Sequence, residues 1–220
     1  MTILVAGATG HVGRPLVEQL LAAGHRVRAP TRAPEKADLP AGAEVVAGNP
    51  ADTASLAGVF DGVTTAHLIA FGGDDFAPLA NGAKIVAMAR EAGVCRVTVL
   101  RGDVDKGCLE RAVESGDLKW TYLSPVEFMS NTLEWAETVR SEGAEVLGRD
   151  VRFVELSRDA MVTEWHREGY SDEDIAFFLM MRTDPPEAGY TVLPTVEKVT
   201  GRPARSFARW VRENAAAFGG

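Results

Sequence analysis

Cysteine is scarce: Cys95 and Cys108 are the only two in 220 residues. That excludes a disulfide framework and leaves two thiols read as reduced packing residues. The four histidines, at 11, 25, 67 and 166, lack the spacing of a metal-ligand set, so no metal site is expected. No apolar run approaches the roughly 18 residues a membrane helix needs. The N-terminus has no basic region followed by a long apolar stretch, so no signal peptide is expected. Positive charge is in deficit: 23 Lys and Arg stand against 31 Asp and Glu, for a net charge of −8. This argues against nucleic acid or an anionic membrane as partner. There is no Gly-x-Ser-x-Gly elbow, no Cys–His pair, no internal repeat and no low-complexity tract. A cytoplasmic protein of one domain, or one with a small appendage, is the expectation.

What is present alternates. Apolar runs at 3–6, 25–31, 43–47, 64–70, 96–101 and 118–124 read as strands. Helical spacing separates them: Val12, Leu16, Val17, Leu20 and Leu21 come first, stopped by Gly24. Further helices are expected over 54–60, 76–92, 105–115 and 128–140. This rhythm predicts an α/β protein, a Rossmann-type doubly wound parallel sheet with helices on both faces. Beyond residue 140 a strand is expected over 151–156 and helices over 159–168, 172–181, 195–200 and 205–218. The division expected is a nucleotide-binding domain over 1–143 and a small, mostly helical substrate subdomain over 144–220.

The segment Gly7-Ala8-Thr9-Gly10-His11-Val12-Gly13 lies where the first strand turns into the first helix. Glycines at 7, 10 and 13 permit the tight turn, the approach of a pyrophosphate and close helix–strand packing. The helix N-terminus favours the anion. Thr9, His11 and Val12 belong to the same turn. A site for NAD would carry Asp or Glu at the end of the second strand. This chain has Thr31-Arg32, with Lys36 close by, a hydroxyl and two cations suited to a 2′-phosphate. The cofactor expected is NADP(H). Ile69 and Ala70 after the fourth strand and Pro125 after the sixth complete the expected cofactor contacts.

These motifs, with Ser115-Gly116, Trp120-Thr121-Tyr122-Leu123-Ser124-Pro125, Phe128-Met129-Ser130-Asn131 and Val199-Thr200-Gly201-Arg202-Pro203, resemble the NmrA-like, atypical branch of the short-chain dehydrogenase/reductase superfamily. The resemblance implies an NAD(P)-binding Rossmann domain with a small substrate subdomain. Activities in that branch range from reduction of quinones and other carbonyls to cofactor sensing without catalysis. Members usually have Asp after the glycine of the third strand; here Gly48 is followed by Asn49, which can still hydrogen-bond adenine. Ser124 stands where Arg is usual, and Arg101 where serine is common. Members are also longer. Near 143–144 this chain skips a strand, a helix and a covering loop, so a more open pocket, or one closed by a partner subunit in a homodimer, is expected.

A Tyr–Lys pair four residues apart is the usual proton-transfer device of short-chain dehydrogenases. Tyr122 is followed four positions on by Val126, Tyr170 by Asp174 and Tyr190 by Pro194. Tyr122 reads as a core residue of a buried strand. The proton donor is therefore open, with Arg101, Asp103, Lys106 and Glu127 as candidates. Hydride transfer to an electron-poor acceptor needs alignment more than a protein acid. The pocket is expected to use Leu68 to Phe71, Phe128, Asn131 and Trp135, the last three on one face of an α-helix. The expected function is NADPH-dependent reduction of a small apolar aromatic carbonyl or quinone. A non-catalytic NADP(H) sensor, or a repurposed non-redox biosynthetic enzyme catalysing a cyclisation or dehydration, is the alternative.

Overall fold

A computed structural model describes residues 1–73, 77–102, 105–136, 155–185, 187 and 190–218. The chain forms two compact units, Met1–Pro125 and Val126–Gly220.

The first unit is a parallel sheet. Its elements are β1 (Thr2–Val5), α1 (Gly13–Ala22), β2 (Arg26–Thr31), β3 (Ala43–Ala47), β4 (Val63–Ile69), a small hairpin of β5 (Phe71–Gly72) and β6 (Ala77–Pro78), α2 (Gly82–Glu91), β7 (Arg96–Leu100), α3 (Cys108–Glu114) and β8 (Lys119–Leu123). The main sheet runs β3-β2-β1-β4-β7-β8, with every neighbouring pair parallel. The order reverses between β1 and β4, which places a ligand crevice at the carboxyl ends of those strands. Residues of β1 alternate between two cores, as a strand covered on both sides requires. Leu4 joins Ala66, Val97 and Val99 beneath Ile85 and Val86 of α2 and Leu109 and Val113 of α3. Ile3 and Val5 join Val27 and Ala29 beneath Val17 of α1.

Several elements differ from their sequence expectation. The helix expected over 54–60 is a single 3-10 turn, Thr53–Leu56, because Gly58 takes a φ of 72°. The long helix expected from 76 starts only at Gly82. Ahead of it, Leu79 N–H donates to the Ala70 carbonyl at 2.9 Å and draws 77–78 into the hairpin. Extended backbone at Gly107 delays α3 to Cys108. The strand expected to be buried, β8, is the last strand of the sheet among the described residues; Trp120 is 42% and Leu123 41% exposed.

In the second unit a 3-10 segment, Met129–Trp135, replaces the start of the α-helix expected over 128–140, whose remainder from 137 lies outside the described residues. The strand expected over 151–156 lies outside them as far as 154, and Glu155 and Leu156 are not in a strand. The helices are α4 (Arg158–Glu168), α5 (Asp172–Thr183), α6 (Thr195–Thr200) and α7 (Phe207–Glu213). Ser157 caps α4, and Ser171 with Asp174 forms a capping box on α5. Trp210 and Phe218 pack with Ala136, Met129 and Leu133. Among the described residues no helix is long and apolar enough to cross a membrane, and no cluster suits a metal ion.

Candidate functional site

The turn after β1 is built from backbone. Gly7 has a φ of 63°, where a side chain is strained, and its carbonyl accepts the Gly10 N–H at 2.9 Å. A Cβ on Gly13 would lie 2.0 Å from the Gly7 carbonyl oxygen, so α1 approaches the turn as closely as two backbones can. Thr9, Gly10 and His11 are exposed, Val12 is half-buried and Gly13 is buried. The N–H groups of His11, Val12 and Gly13 have no acceptor among the described residues, and the first turn of α1 holds no acidic side chain. Open donors at a helix N-terminus without a competing carboxylate form a cradle for an anion, and the residues present fit a pyrophosphate.

At the end of β2, the Thr31 hydroxyl accepts the Ala33 N–H at 3.4 Å and the Thr31 carbonyl accepts the Gly48 N–H at 2.9 Å. Arg32 and Lys36 are exposed beside it, Lys36 within a 3-10 turn over Pro34–Lys36. Arg14 pairs with Glu18 along α1 and reaches across to Asp38. Asn49 Oδ1 accepts the Ala51 N–H at 3.0 Å, so its amide nitrogen is the group left for a ligand.

On the other side of the crevice, Ile69 lies beside the turn: a Cβ on Gly7 would stand 3.5 Å from Ile69 Cδ1. The next two residues, Ala70 and Phe71, line a cavity of about 520 Å³ together with Pro78. Its polar wall is Asp105, Lys106 and Glu110. Phe71 is held close to the backbone, since a Cβ on Gly102 would fall 2.6 Å from its ring. The described residues of the cavity lining all belong to the first unit, and the cavity begins one residue past Ile69, the last residue of β4.

Behind the cavity stands a charged network. Glu110 is 2% exposed, and its Oε1 lies 3.6 Å from Arg101 Nε. The Arg101 guanidinium sits 5.5 Å from the centre of the Tyr122 ring. The Tyr122 hydroxyl donates to the Glu110 carbonyl at 3.2 Å. Burial, then the Glu114 carboxylate, pushes the Tyr122 hydroxyl up to about 12. Lys106 Nζ is 2.7 Å from Glu114 Oε1 and holds that carboxyl below its ordinary value.

The structure brings Arg101 and Lys106 to this end of the sheet. Asp103 lies outside the described residues. Pro125 is exposed at the end of the first unit; Glu127, Phe128 and Asn131 are exposed residues of the second. Phe128 precedes the 3-10 segment as an extended residue, so the α-helical spacing expected to align it with Asn131 and Trp135 does not hold. Trp135 contributes only its backbone to the described structure. Glu110 was not among the residues expected from sequence. Its one sequence signal is its place three residues before Val113, on the apolar face of a short helix. Tyr170 and Tyr190 are 41% and 69% exposed, and Tyr122 is committed to a carbonyl.

Residues 7–106 match a family described as NAD(P)H-binding. The chain is 30% identical to a (4-alkanoyl-5-oxo-2,5-dihydrofuran-3-yl)methyl phosphate reductase of Streptomyces griseus, over 98% of this chain and 99% of the relative. The alignment runs to 283 positions against a chain of 220 residues, so the relative carries residues with no counterpart here. An NAD(P)H azoreductase of Xenophilus azovorans is 26% identical over 99% of both chains. Among solved structures, an NADPH-dependent quinone oxidoreductase from Escherichia coli superposes with a TM-score of 0.72 at 18% identity, over 96% of this chain and 98% of that one. The triphenylmethane reductase of Citrobacter sp. superposes with a TM-score of 0.75 at 17% identity, over 100% of both.

Proposed function

The chain belongs to the NAD(P)H-binding, NmrA-like atypical short-chain dehydrogenase/reductase family, and on that premise we propose that it is an NADPH-dependent reductase of electron-poor aromatic carbonyl or quinonoid compounds. One observation carries the reading: the Gly7–Gly13 cradle and the Phe71 cavity share the carboxyl end of β4, with Ile69 against the first and Ala70 in the second. A dinucleotide whose pyrophosphate lies on the cradle runs across the crevice toward that cavity. The relatives named as quinone, azo and dihydrofuranone-phosphate reductases act on compounds of the same electronic kind, acceptors in which added charge is delocalised.

The chain's own residues then divide the work. The N–H groups of His11, Val12 and Gly13 bind pyrophosphate, while Arg32 and Lys36 hold the 2′-phosphate and so select NADPH. Thr31 and the Asn49 amide border the adenosine. Phe71, Ala70 and Pro78 hold a flat acceptor by its face and exclude water from it. The nicotinamide, when bound, supplies hydride. Lys106, on the cavity wall, faces the oxygen on which negative charge develops, with Arg101 behind that wall, and water supplies the proton. A reductase of this kind needs no Tyr–Lys pair, because an acceptor that spreads the charge weakens the demand for an acid.

The test is NADPH oxidation, followed by absorbance, with menadione and a panel of aromatic ketones. Turnover with NADPH and much less with NADH supports the reading. Tight NADPH binding without turnover on any acceptor rejects it in favour of cofactor sensing, the second reading, which the engagement of Tyr122 with a backbone carbonyl favours.

A further inference from the structure

The Lys106–Glu114 pair has one end on the cavity wall and the other end off it. Lys106 lines the cavity, whereas Glu114, at the last position of α3, is not among the described lining. Two guanidinium groups fix the main chain that carries Lys106. Arg101 Nη2 donates to the Asp105 carbonyl at 3.3 Å, and Arg111 Nη1 donates to the Lys106 carbonyl. The side chain is held differently. It is 52% exposed, and its ammonium meets the Glu114 carboxylate at 2.7 Å. A lysine chain left to solvent spreads over many rotamers, and ordering it carries one of the largest entropic costs of any side chain. A pair this exposed adds little to stability. Its consequence lies in where it leaves Nζ.

Resting on the reading of this cavity as the acceptor site, we propose that Glu114 is a positioning residue: it holds the Lys106 ammonium at the cavity wall for the oxygen that becomes negative as hydride is added. Hydride joins the acceptor carbon, the carbonyl electron pair moves to oxygen, and water gives that oxygen its proton; Lys106 keeps its own. An ammonium carries three donors, and the carboxylate takes one of them, so donors remain for the acceptor. A mobile ammonium has to be gathered at the moment charge develops, whereas one already held does not. Glu114 acts through Lys106 and touches neither acceptor nor cofactor. Its other neighbours do not replace it. Arg101 is engaged with Glu110, and the Tyr122 hydroxyl with the Glu110 carbonyl.

The experiment is steady-state kinetics of the whole chain with NADPH and menadione. Glu114→Gln removes the charge that holds the ammonium, and Lys106→Met removes the ammonium itself. Both side chains are partly exposed, so both variants are expected to fold. Each is expected to lower kcat about tenfold, less than the roughly 10²–10³-fold that a buried oxyanion donor supplies. The KM for menadione and the Kd for NADPH are expected to stay within about twofold, since the charge that Lys106 meets exists only in the transition state. The double variant is expected to be no slower than either single one. Glu114→Asp, which keeps the charge on a shorter arm, is expected to fall between wild type and Glu114→Gln. Wild-type kcat in Glu114→Gln overturns the proposal and leaves the reductase standing. So does a double variant whose loss is the product of the two single losses, because Glu114 then acts apart from Lys106. So does a loss that appears in KM or in NADPH binding with kcat unchanged. No turnover by the wild type, with menadione or any aromatic ketone, overturns the reductase reading and this inference with it.

Discussion

The two halves of the crevice recognise ligands by different means. After β1, recognition is built from backbone: a left-handed glycine, open N–H groups and a helix end, with no acidic side chain in its first turn. After β7 it is built from side chains: Arg101 on Glu110, Lys106 on Glu114, Tyr122 beneath the guanidinium. A backbone site is sensitive to added side-chain bulk but indifferent to pH. A side-chain site tolerates changes of shape and fails when a charge loses its partner.

The largest effect is expected where backbone meets backbone. Gly13→Ala places a methyl group 2.0 Å from the Gly7 carbonyl, where neither partner can yield. It is expected to cost about 4 kcal/mol or more, lowering the melting temperature by about 10 °C, and to abolish cofactor binding. Gly10→Val separates fold from function in the same turn. A Cβ there stands 3.3 Å from the Gly7 oxygen, tight but tolerable, while the branched side chain fills the path of the pyrophosphate. Calorimetry that finds normal NADPH binding in folded Gly10→Val rejects the cradle.

At the other end, Arg101→Met tests whether side-chain pairing holds the cavity wall. It strands the Glu110 carboxylate, whose side chain is only 3% exposed, and is expected to destabilise the protein by about 3 kcal/mol in chemical denaturation. The double variant Arg101→Met/Glu110→Gln removes the stranded charge and is expected to regain at least about half of that loss. If the double variant is no more stable than the single one, Glu110 is not held by this arginine.

The same contrast explains what was legible in the sequence. The strand–turn–helix of residues 2–22 follows from local pattern, because a glycine at φ 63° and an unbroken apolar strand are written in consecutive residues. The hairpin ahead of α2 was not legible, since it depends on Leu79 bonding back to Ala70, a pairing that no local pattern writes. Glu110 escaped for a related reason. In sequence it is one more charge in an acidic helix, and its burial comes from α3 pressing on α2, where a Cβ on Gly82 would meet Leu109 N at 2.3 Å. A position that tertiary packing creates leaves almost no mark on the residues beside it. Arg101 and Lys106 could be placed near the ligand edge from their strand alone, but not their pairing with Glu110 and Glu114.

Cofactor choice lies on the backbone-built side yet depends on side chains, which makes Arg32→Glu a sharper probe of the contrast. It replaces a phosphate partner with a carboxylate. NADPH affinity is expected to fall by about 2 kcal/mol, close to thirtyfold, with NADH affected far less. Fluorescence titration showing equal losses for both cofactors would falsify the assignment of Arg32 to the 2′-phosphate.

The smallest effect is expected at Tyr122, the residue that most invites a catalytic reading. Its hydroxyl is spent on the Glu110 carbonyl, and its proton is held more tightly than in free tyrosine, up to about 12 against an ordinary 10. Tyr122→Phe keeps the ring beneath Arg101 and removes one hydrogen bond, for a stability loss of about 1 kcal/mol. Turnover is expected to stay within about tenfold of wild type, below the roughly 10²–10⁴-fold that a positioned acid contributes. The sign of the pH effect gives a second readout. A hydroxyl whose folded-state pKa is raised stabilises the protein in full below the unfolded value. That stabilisation is lost as pH rises from 10 through about 12. Wild type is therefore expected to lose stability more steeply than Tyr122→Phe across that interval, and absorbance titration should place one tyrosine ionisation later than the other two. If Tyr122→Phe abolishes turnover while NADPH still binds, the side-chain half of the crevice holds its proton donor after all, and the missing Tyr–Lys pair has been replaced rather than dispensed with.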